Sequence, residues 1–527
     1  MLPNVATYFY VVVPVKPSAM RWAFFIDGGM SLEKDLIKTI GEEAKKLSQR
    51  HHAYHNTLEL EHIRKSNRVS NPGDKELKIP AYWSSEKKFN PFYVHKNRRQ
   101  IAHSIAKKIQ NGTYEPNPPQ KMEIPKASGG SRTVTIYQIP DAAVSTLIYQ
   151  QLLSKNKHRF SSFSYAYRND RNVHFAIQDI AIELKELSRV FVAEFDFSKF
   201  FDSINHSYLY RQFNENGFFI SEREDSVIKS FLKSKNVGIP QGTSISLFLA
   251  NIVCWKLDKG LEQVGLKFAR YADDTVIWSH DYQKISMAYD IISNFSKEAG
   301  VEINAKKSDG ISLLCRKDMP SELAQRKEEI DFLGYSISVD NVSIKKSSVN
   351  KIKRQISYTL YKHLIKPLRG NKLVAIKIPA NNKDTHLLSA ILEIRRYLYG
   401  NLNDQMIANY LNGKSNRIFF KGIMSFYPLI NNEQQLKELD GWLVTAIFKA
   451  IRIRSKLLKK WNFNRDNSFP FNIPHKDLTT AFKQQKVKGK KLLQIPSFFT
   501  IYKALKKGVT DKGIAGVMNP TSNGYNY

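Results

Sequence analysis

The pattern of apolar and polar positions alternates between strand-like and helix-like segments. Residues 189–197 (RVFVAEFDF) form an apolar run with the composition of a buried β-strand, and residues 267–272 and 275–279 form two shorter runs of the same kind. Residues 121–139 alternate on both sides of a Ser-Gly-Gly-Ser turn at 128–131, which predicts a β-hairpin. The chain therefore mixes strands with helices from the start.

Helical spacing of apolar residues dominates the remaining segments. Residues 284–299 carry apolar positions three and four apart, which predicts an amphipathic helix. A short apolar run at 8–13 predicts a strand, and no run of about 18 apolar residues occurs, so no membrane-spanning helix is expected. The other helices predicted before residue 340 are 32–65, 97–110, 141–155, 172–187, 206–216, 222–235 and 244–264.

Beyond about residue 340 the chain becomes more helical and more basic. The pattern predicts helices at 347–365, 385–399, 403–411 and 433–460. From about residue 508 the composition is rich in Gly, Asn, Thr and Ser, which predicts a flexible tail.

The charge balance of the chain indicates what kind of partner it binds. Lys and Arg number 81 against 48 Asp and Glu, a formal net charge of +33 in 527 residues, which favours a polyanionic partner such as nucleic acid. A membrane surface is the second candidate. One cluster, at 449–460, lacks acidic residues and is predicted to follow a phosphate backbone, with a merely solvated face as the alternative. Its members are Lys449, Arg452, Arg454, Lys456, Lys459 and Lys460.

Cysteine usage excludes one class of protein. The two cysteines, Cys254 and Cys315, form no Cys-x-x-Cys pair, which argues against a disulfide framework or a Cys-based zinc site. A reducing cytoplasm is the expected location.

The candidate chemistry lies in three carboxylates. Asp273 and Asp274 stand side by side between two predicted strands, in the run Ala269–Trp278 (ARYADDTVIW), and Asp196 lies at the end of the 189–197 strand. If these elements are neighbours in a sheet, the repulsion between the carboxylates is relieved by hard divalent cations such as Mg²⁺. Two such ions serve in-line displacement at phosphorus. The alternative is a solvated turn, since turns favour Asp.

Four further segments, which follow a fixed order along the chain, argue against a solvated turn at Asp273-Asp274. They are EFDFSKFFDSINH (194–206), GIPQGTSISLFLAN (238–251), GVEINAKKS (300–308) and IDFLGYSIS (330–338). Together with Tyr271-Ala272-Asp273-Asp274, they resemble the successive palm motifs of reverse transcriptases over about residues 112–340. The resemblance implies an α+β right-hand polymerase, with fingers, a palm whose antiparallel sheet packs on helices, and an α-helical C-terminal thumb. The implied divisions are an N-terminal extension (1–95), fingers (96–190), palm (191–340), basic thumb (341–507) and a flexible tail (508–527).

The resemblance also implies roles at the reaction centre. Asp196, Asp273 and Asp274, with the Phe197 carbonyl, would hold two Mg²⁺ ions, for which Mn²⁺ could substitute. Lys307 would protonate the leaving pyrophosphate, with its neighbour Lys306 as the alternative.

Roles in substrate binding follow from the same resemblance. Phe201 would clash with a ribose 2′-OH and so select dNTPs, and Gln241 would line the nucleotide pocket. Lys126 and Arg132, on the two arms of the 121–139 hairpin, would hold the triphosphate, to which a forked guanidinium is suited. The alternative for Phe201 is an aromatic side chain of the apolar core, and the alternative for Lys126 and Arg132 is a solvated basic hairpin. Arg168 belongs to a template-side motif, and the primer grip would comprise Phe332, Leu333, Gly334 and Tyr335.

The branch of the family is indicated by smaller features. Ile124-Pro125-Lys126, the Asp-x-x-x-Phe-Phe-Asp pattern and Phe-Leu-Gly-Tyr resemble group II intron and related bacterial enzymes, and 410–461 is loosely similar to an intron-type thumb. The Pro-Gln-Gly loop continues to Thr-Ser-Ile-Ser without the proline usual in intron enzymes. This form resembles antiphage-defence and abortive-infection reverse transcriptases, which is the favoured branch, and a retron-type enzyme is a third option.

The expected function is therefore synthesis of cDNA from dNTPs on an RNA template, with a dedicated non-coding RNA as candidate template. A maturase that binds and folds intron RNA is one alternative. Template-independent or protein-primed DNA synthesis is another. The sequence leaves the oligomeric state open.

Overall fold

The computed structural model describes residues 30–66, 75–125, 130–185, 187–233, 236–321, 323–370, 385–416, 418–487 and 489–519. The strand predicted at 8–13 lies outside these residues, as does Lys126.

A five-stranded sheet holds the middle of the chain together. Its order is β5-β6-β3-β8-β9, and every pairing is antiparallel except that of β8 with β9. The predicted strands at 189–197, 267–272 and 275–279 are confirmed as β3, β5 and β6, which lie side by side. The strands are β1 Gln120–Pro125, β2 Ser131–Ile136, β3 Arg189–Phe195, β4 Phe197–Ser198, β5 Lys267–Tyr271, β6 Asp274–Ser279, β7 Glu302–Ile303, β8 Gly310–Cys315, β9 Arg326–Lys327, β10 Ile330–Phe332, β11 Tyr335–Ile337 and β12 Val342–Ile344.

Helices cover the sheet and form most of the C-terminal part, so the predicted α+β class is confirmed. The α-helices are α1 Met30–Ser66, α2 Tyr82–Ser85, α3 Pro91–Gln110, α4 Ile139–Asn156, α5 Val173–Leu184, α6 Phe200–Ser203, α7 His206–Glu215, α8 Glu222–Leu232, α9 Ser244–Val253, α10 Trp255–Gln263, α11 Tyr282–Ala299, α12 Lys346–Leu360, α13 Thr385–Tyr399, α14 Asp404–Leu411, α15 Glu433–Lys460, α16 Leu478–Gln484 and α17 Phe498–Lys512. None of the described helices combines the length and apolar character that crossing a membrane requires.

The strand β3 shows why the sheet lies in the interior. Its alternate residues contribute to different apolar clusters, with Val190 and Val192 on one face and Ala193 and Phe195 on the other. A strand with a period of two and apolar residues at both phases is buried on both faces. The end of β3 is consequently held by packing on two sides.

The described residues have three apolar cores. One lies within residues 32–301 on one face of the sheet, a second lies within 165–342 on the other face and includes α5, and the third lies within 344–517 and is built mainly from α12 to α17. The predicted palm–thumb boundary at 340/341 stays a prediction.

Two predicted elements are wrong. The single helix expected at 244–264 breaks at Cys254, whose backbone (φ −80°, ψ −3°) ends α9 before α10 begins. The flexible tail expected from 508 is ordered as far as Asn519, because α17 continues to Lys512 and Val517 is buried. Gly508 permits this contact, since a Cβ there would lie 2.5 Å from the Val517 side chain.

Candidate functional site

The turn between β5 and β6 carries the adjacent acids. Tyr271 pairs with Asp274, so Ala272 and Asp273 form a two-residue turn. Ala272 has φ +62°, the left-handed conformation that glycine usually occupies at the first position of such a turn. An alanine in this conformation stores strain of about 1 kcal/mol or more, which the surrounding structure must hold. The turn presents the two acids in sequence at the end of the sheet.

Asp196 lies beside this turn. Phe195, the last residue of β3, pairs with Thr275, and Asp196 therefore continues the strand next to Asp274. The Asp196 side chain is 10% exposed, and its Oδ2 accepts hydrogen bonds from Lys307 Nζ at 2.9 Å and Asn304 Nδ2 at 2.8 Å. The Asn304 backbone N–H also donates to the Asp196 carbonyl at 2.8 Å. The carboxylate is thus fixed in position from the 302–308 segment.

The three carboxylates interact electrostatically. Burial, together with the charges of Asp273 and Asp196, raises the pKa of Asp274 to about 7. Burial and the charge of Asp196 also raise the pKa of Asp273. The hydrogen bond to Asp196 raises the pKa of Lys307, which keeps that side chain cationic. The repulsion between these neighbouring carboxylates costs free energy, and a bound cation would offset that cost.

The donor set fits a hard divalent cation, because carboxylate oxygens are the ligands that Mg²⁺ prefers. Among the described residues, no three His, Cys, Asp or Glu side chains are arranged so that they could hold a metal ion together. Lys307 supplies the positive charge beside Asp196 instead. The Phe197 ring is buried against Phe295, and the Phe197 backbone pairs with Ile303 in β7.

Backbone hydrogen bonds connect α6, which carries Phe201, to the 238–242 loop, which carries Gln241, and connect that loop to the β1–β2 hairpin. Phe201 lies in α6 with a half-buried ring, edge-on to Tyr167 at 6.4 Å between centroids. Its carbonyl accepts from the Ile239 N–H at 2.7 Å, and the Gln241 carbonyl accepts from the Thr135 N–H at 2.8 Å. The hairpin β1–β2, the 238–242 loop and α6 therefore form one connected unit. Arg132 lies on β2 of this unit and is exposed.

Gly242 allows the hairpin to approach the loop. Its φ is +112°, and a Cβ at this position would lie 2.4 Å from the Thr135 carbonyl oxygen. An L-residue is therefore excluded by both conformation and contact.

The predicted primer-grip residues divide into two pairs. Leu333 (φ +49°) and Gly334 (φ +87°) form the two-residue turn between β10 and β11 and are partly exposed. Phe332 and Tyr335 are buried in an apolar cluster. The Tyr335 hydroxyl donates to the Phe426 carbonyl at 3.1 Å. The exposed part of this motif is therefore the turn, and its assignment to the primer grip stays a prediction.

The predicted nucleic-acid-binding cations are also divided by the structure. Arg454 is 3% exposed and donates to the Leu364 carbonyl at 3.0 Å, so its prediction as a phosphate contact is wrong. It lies on the face of α15 that packs into the C-terminal core. Lys456 and Lys460 are exposed, Lys459 pairs with Asp466, and Arg452 lies over the Phe448 ring at 4.9 Å.

Arg168 is held within its own loop. Its side chain is 5% exposed, pairs with Asp170 at 2.8 Å and donates to the Ser161 carbonyl at 2.7 Å. This geometry braces the 161–170 segment and does not present the guanidinium to solvent.

Two functional residues were missed by the sequence analysis. Asn304 orients Asp196, and Arg270, 0% exposed, donates to the Ala272 carbonyl at 3.0 Å. An arginine inside an otherwise apolar strand, three residues before the acidic pair, was the available signal for Arg270.

Comparisons with known proteins agree with this geometry. A family model described as "Reverse transcriptase (RNA-dependent DNA polymerase)" matches residues 124–337. Group II intron-encoded protein LtrA of Lactococcus lactis subsp. cremoris is 25% identical over 70% of this chain and 71% of its own. Retron Ec86 reverse transcriptase of Escherichia coli is 28% identical over 32% of this chain and 49% of its own.

Coverage of the other relatives is partial. The chain spans about half the length of protein YkfC of Escherichia coli, to which it is 25% identical. Among solved structures, telomerase from Candida tropicalis in complex with a fragment of telomeric RNA covers 81% of this chain at 13% identity, with a TM-score of 0.35. The segment 124–337, which matches the reverse transcriptase family model, contains the strand that ends next to Asp196, the Asp273–Asp274 turn and Lys307.

Proposed function

We propose that this protein is an RNA-directed DNA polymerase that extends a primer with dNTPs on an RNA template. The observation that carries the proposal is the convergence of Asp196, Asp273 and Asp274 at one end of the sheet, inside the segment that matches the reverse transcriptase family model. Burial and like charges raise the pKa values of Asp273 and Asp274, and perturbed carboxylates of this kind are characteristic of functional sites. The net charge of +33 supports a nucleic-acid partner.

Each residue of the site has a proposed part in the reaction. Asp196, Asp273, Asp274 and the Phe197 carbonyl would hold Mg²⁺ or Mn²⁺, which when bound lowers the pKa of the primer hydroxyl and offsets charge on the leaving group. The hydroxyl gives its proton to water, and its oxygen forms the new bond to the α-phosphorus as the bond to the bridging oxygen of pyrophosphate breaks. Lys307, whose Nζ lies 2.9 Å from Asp196 Oδ2, would give a proton to that bridging oxygen.

The residues around the site would select and hold the substrate. Phe201 lies on the unit formed by α6, the 238–242 loop and the β1–β2 hairpin, and its partly exposed ring would exclude a ribose 2′-OH. Gln241 and Arg132 belong to the same unit, as candidate contacts of the base and the triphosphate, and Lys126 is proposed as a second triphosphate contact. The turn Leu333–Gly334 would meet the primer terminus.

For the biological setting, we propose antiphage defence in the bacterial cytoplasm, with a dedicated non-coding RNA as template. The Gln-Gly-Thr-Ser-Ile-Ser form of the 241–246 loop supports it. The two cysteines, both buried and unpaired, accord with a reducing compartment.

A maturase that binds and folds intron RNA is the second candidate. The alignment with the intron-encoded protein LtrA covers 70% of the chain and so extends well beyond residues 124–337. Such a protein would depend on RNA binding and not on the carboxylates.

The double variant Asp273→Asn, Asp274→Asn separates the two candidates. In a phage-protection assay, the polymerase proposal predicts that the variant loses protection while it keeps RNA affinity, whereas the maturase candidate predicts that the variant keeps full activity in an intron-splicing assay with the host RNA. Retention of full biological activity by a variant that makes no DNA would contradict the proposal and support the maturase.

A further inference from the structure

The guanidinium of Arg270 lies directly beneath the acidic turn. Arg270 belongs to β5 and is 0% exposed. Its Nε and Nη2 donate to the two carboxylate oxygens of Asp258, each at 2.6 Å, and Asp258 is 1% exposed on α10. Such a two-pronged pair has the planar geometry in which arginine cannot be replaced by lysine.

The remaining donors of the guanidinium are also used. Nη2 donates to Ser164 Oγ at 2.7 Å, and Nη1 donates to the Ala272 carbonyl at 3.0 Å, with Asn251 Oδ1 at 3.5 Å. The five N–H groups of an arginine thus have partners on α9, α10, the 161–170 segment and the turn. The side chain is fixed from every side before any substrate arrives.

The bond to Ala272 bears on the chemistry. The Ala272 carbonyl belongs to the peptide that joins Ala272 to Asp273, so its orientation sets the direction of the Asp273 side chain. Ala272 holds a left-handed conformation that an alanine does not favour, and the guanidinium is the described side-chain donor to this peptide. Removing that donor releases the strain by letting the peptide rotate, which carries the Asp273 carboxylate away from Asp196 and Asp274.

We propose that Arg270, clamped by Asp258, is a positioning residue that fixes the Ala272–Asp273 peptide and so presents the Asp273 carboxylate for metal binding. The inference rests on the proposed function insofar as it takes Asp273 to be a metal ligand. Arg270 itself touches neither the substrate nor the reacting atoms.

Two kinds of variant separate positioning from mere stability. Arg270→Lys keeps the charge, but a single ammonium cannot span Asp258 and the Ala272 carbonyl. The double variant Arg270→Met, Asp258→Leu removes the buried pair together, and replacing a whole buried ion pair by apolar residues is often neutral for stability. The matched control is Arg395→Met, Asp404→Leu, a pair in the C-terminal core with a distance of 3.3 Å between Arg395 Nε and Asp404 Oδ2.

The experiment measures Mn²⁺ binding to each full-length protein by electron paramagnetic resonance, alongside melting temperature and primer extension. We expect the dissociation constant for Mn²⁺ to rise about tenfold or more in both Arg270 variants, the range seen when outer-shell partners of ligands are lost. The control should bind Mn²⁺ as the wild type does. The Mn²⁺ concentration for half-maximal extension should rise in parallel, while the KM for dNTP stays near the wild-type value.

Wild-type Mn²⁺ affinity in either folded Arg270 variant would overturn the proposal, and so would an equal loss in the Arg395 control. If the wild type binds Mn²⁺ but does not extend a primer, the proposed function fails while the positioning role stands on the binding data. If the wild type binds no Mn²⁺, both fail.

Discussion

At the scale of single residues, the candidate site is built on three carboxylates that repel one another. The pKa of Asp274 is raised to about 7 by burial and by the charges of Asp273 and Asp196. The metal-free site thus favours a proton on Asp274 at a pH where an exposed aspartate is fully ionised. A bound cation would reverse that preference, because metal binding requires the deprotonated form.

The first prediction concerns the pH dependence of stability in the metal-free protein. A raised folded-state pKa means that Asp274 contributes stability below its unfolded pKa, near 3.8, and that this contribution is lost as pH rises through about 7. With EDTA present, the melting temperature of the wild type should therefore fall between pH 5 and pH 8 relative to that of Asp274→Asn. Saturating Mg²⁺ should reduce the difference. Parallel curves for the two metal-free proteins would contradict the assignment.

The second prediction concerns Phe201. Replacing the ring by valine should lower the preference for dNTP over rNTP by about tenfold to a hundredfold, because the steric exclusion of a 2′-OH is lost. The measurement is kcat/KM for both nucleotides on the same primer and template, so each protein serves as its own control. An unchanged ratio would show that the ring does not meet the sugar.

Local patterns predicted the site's main parts. Residues 189–197 and 267–279 are apolar runs with clear ends, and Asp196, Asp273 and Asp274 lie at those ends, so their convergence needed only the pairing of β3 with β6. Arg454 could not be assigned in this way. Its charge suggested a solvated face of α15, but the Leu364 carbonyl, 90 residues earlier in the chain, accepts its hydrogen bond and draws it into the core.

At the scale of elements, the β1–β2 hairpin is joined to the 238–242 loop at one point. The Thr135 N–H donates to the Gln241 carbonyl. Gly242 has no side chain, which lets the Thr135 carbonyl lie close to the loop. The break between α9 and α10 belongs to the same scale. The apolar pattern of 244–264 continues through Cys254 without interruption, so the pattern alone does not show that α9 ends there. The end of α9 is set by how the two short helices pack.

The third prediction tests this junction with Gly242→Ala. The added Cβ would meet the Thr135 carbonyl at 2.4 Å, so the hairpin must separate from the loop, and kcat/KM for dNTP should fall by at least about tenfold. Gly413→Ala is the matched control, since Gly413 also has positive φ (+72°) but has no atom within 4 Å of the added Cβ. Equal effects of the two substitutions on kcat/KM would contradict a role for the junction in nucleotide binding.

At the scale of the whole molecule, the net charge of +33 is distributed over a chain with three apolar cores. Charge of this size attracts any polyanion and sets affinity through counterion release. Buried or paired cations, such as Arg454 and Lys459, contribute less than exposed ones. Lys456 and Lys460 of α15 remain the exposed candidates for RNA contact in that cluster.

The fourth prediction concerns the salt dependence of RNA binding. Replacing Lys456 and Lys460 by glutamine should weaken RNA affinity and flatten the slope of log affinity against log salt by about 1.4. The control replaces two exposed lysines of α11, Lys284 and Lys297, and removes the same charge elsewhere. A slope change of the same size in the control would mean that α15 does not contact RNA directly.

The central claim is tested most directly by sequencing the DNA made from a primer annealed to an RNA of defined sequence, with Mg²⁺ and all four dNTPs. We expect products complementary to that RNA, which are lost in Asp273→Asn, Asp274→Asn and strongly reduced when rNTPs replace dNTPs. Products whose sequence ignores the RNA, or synthesis that survives loss of both carboxylates, would contradict it.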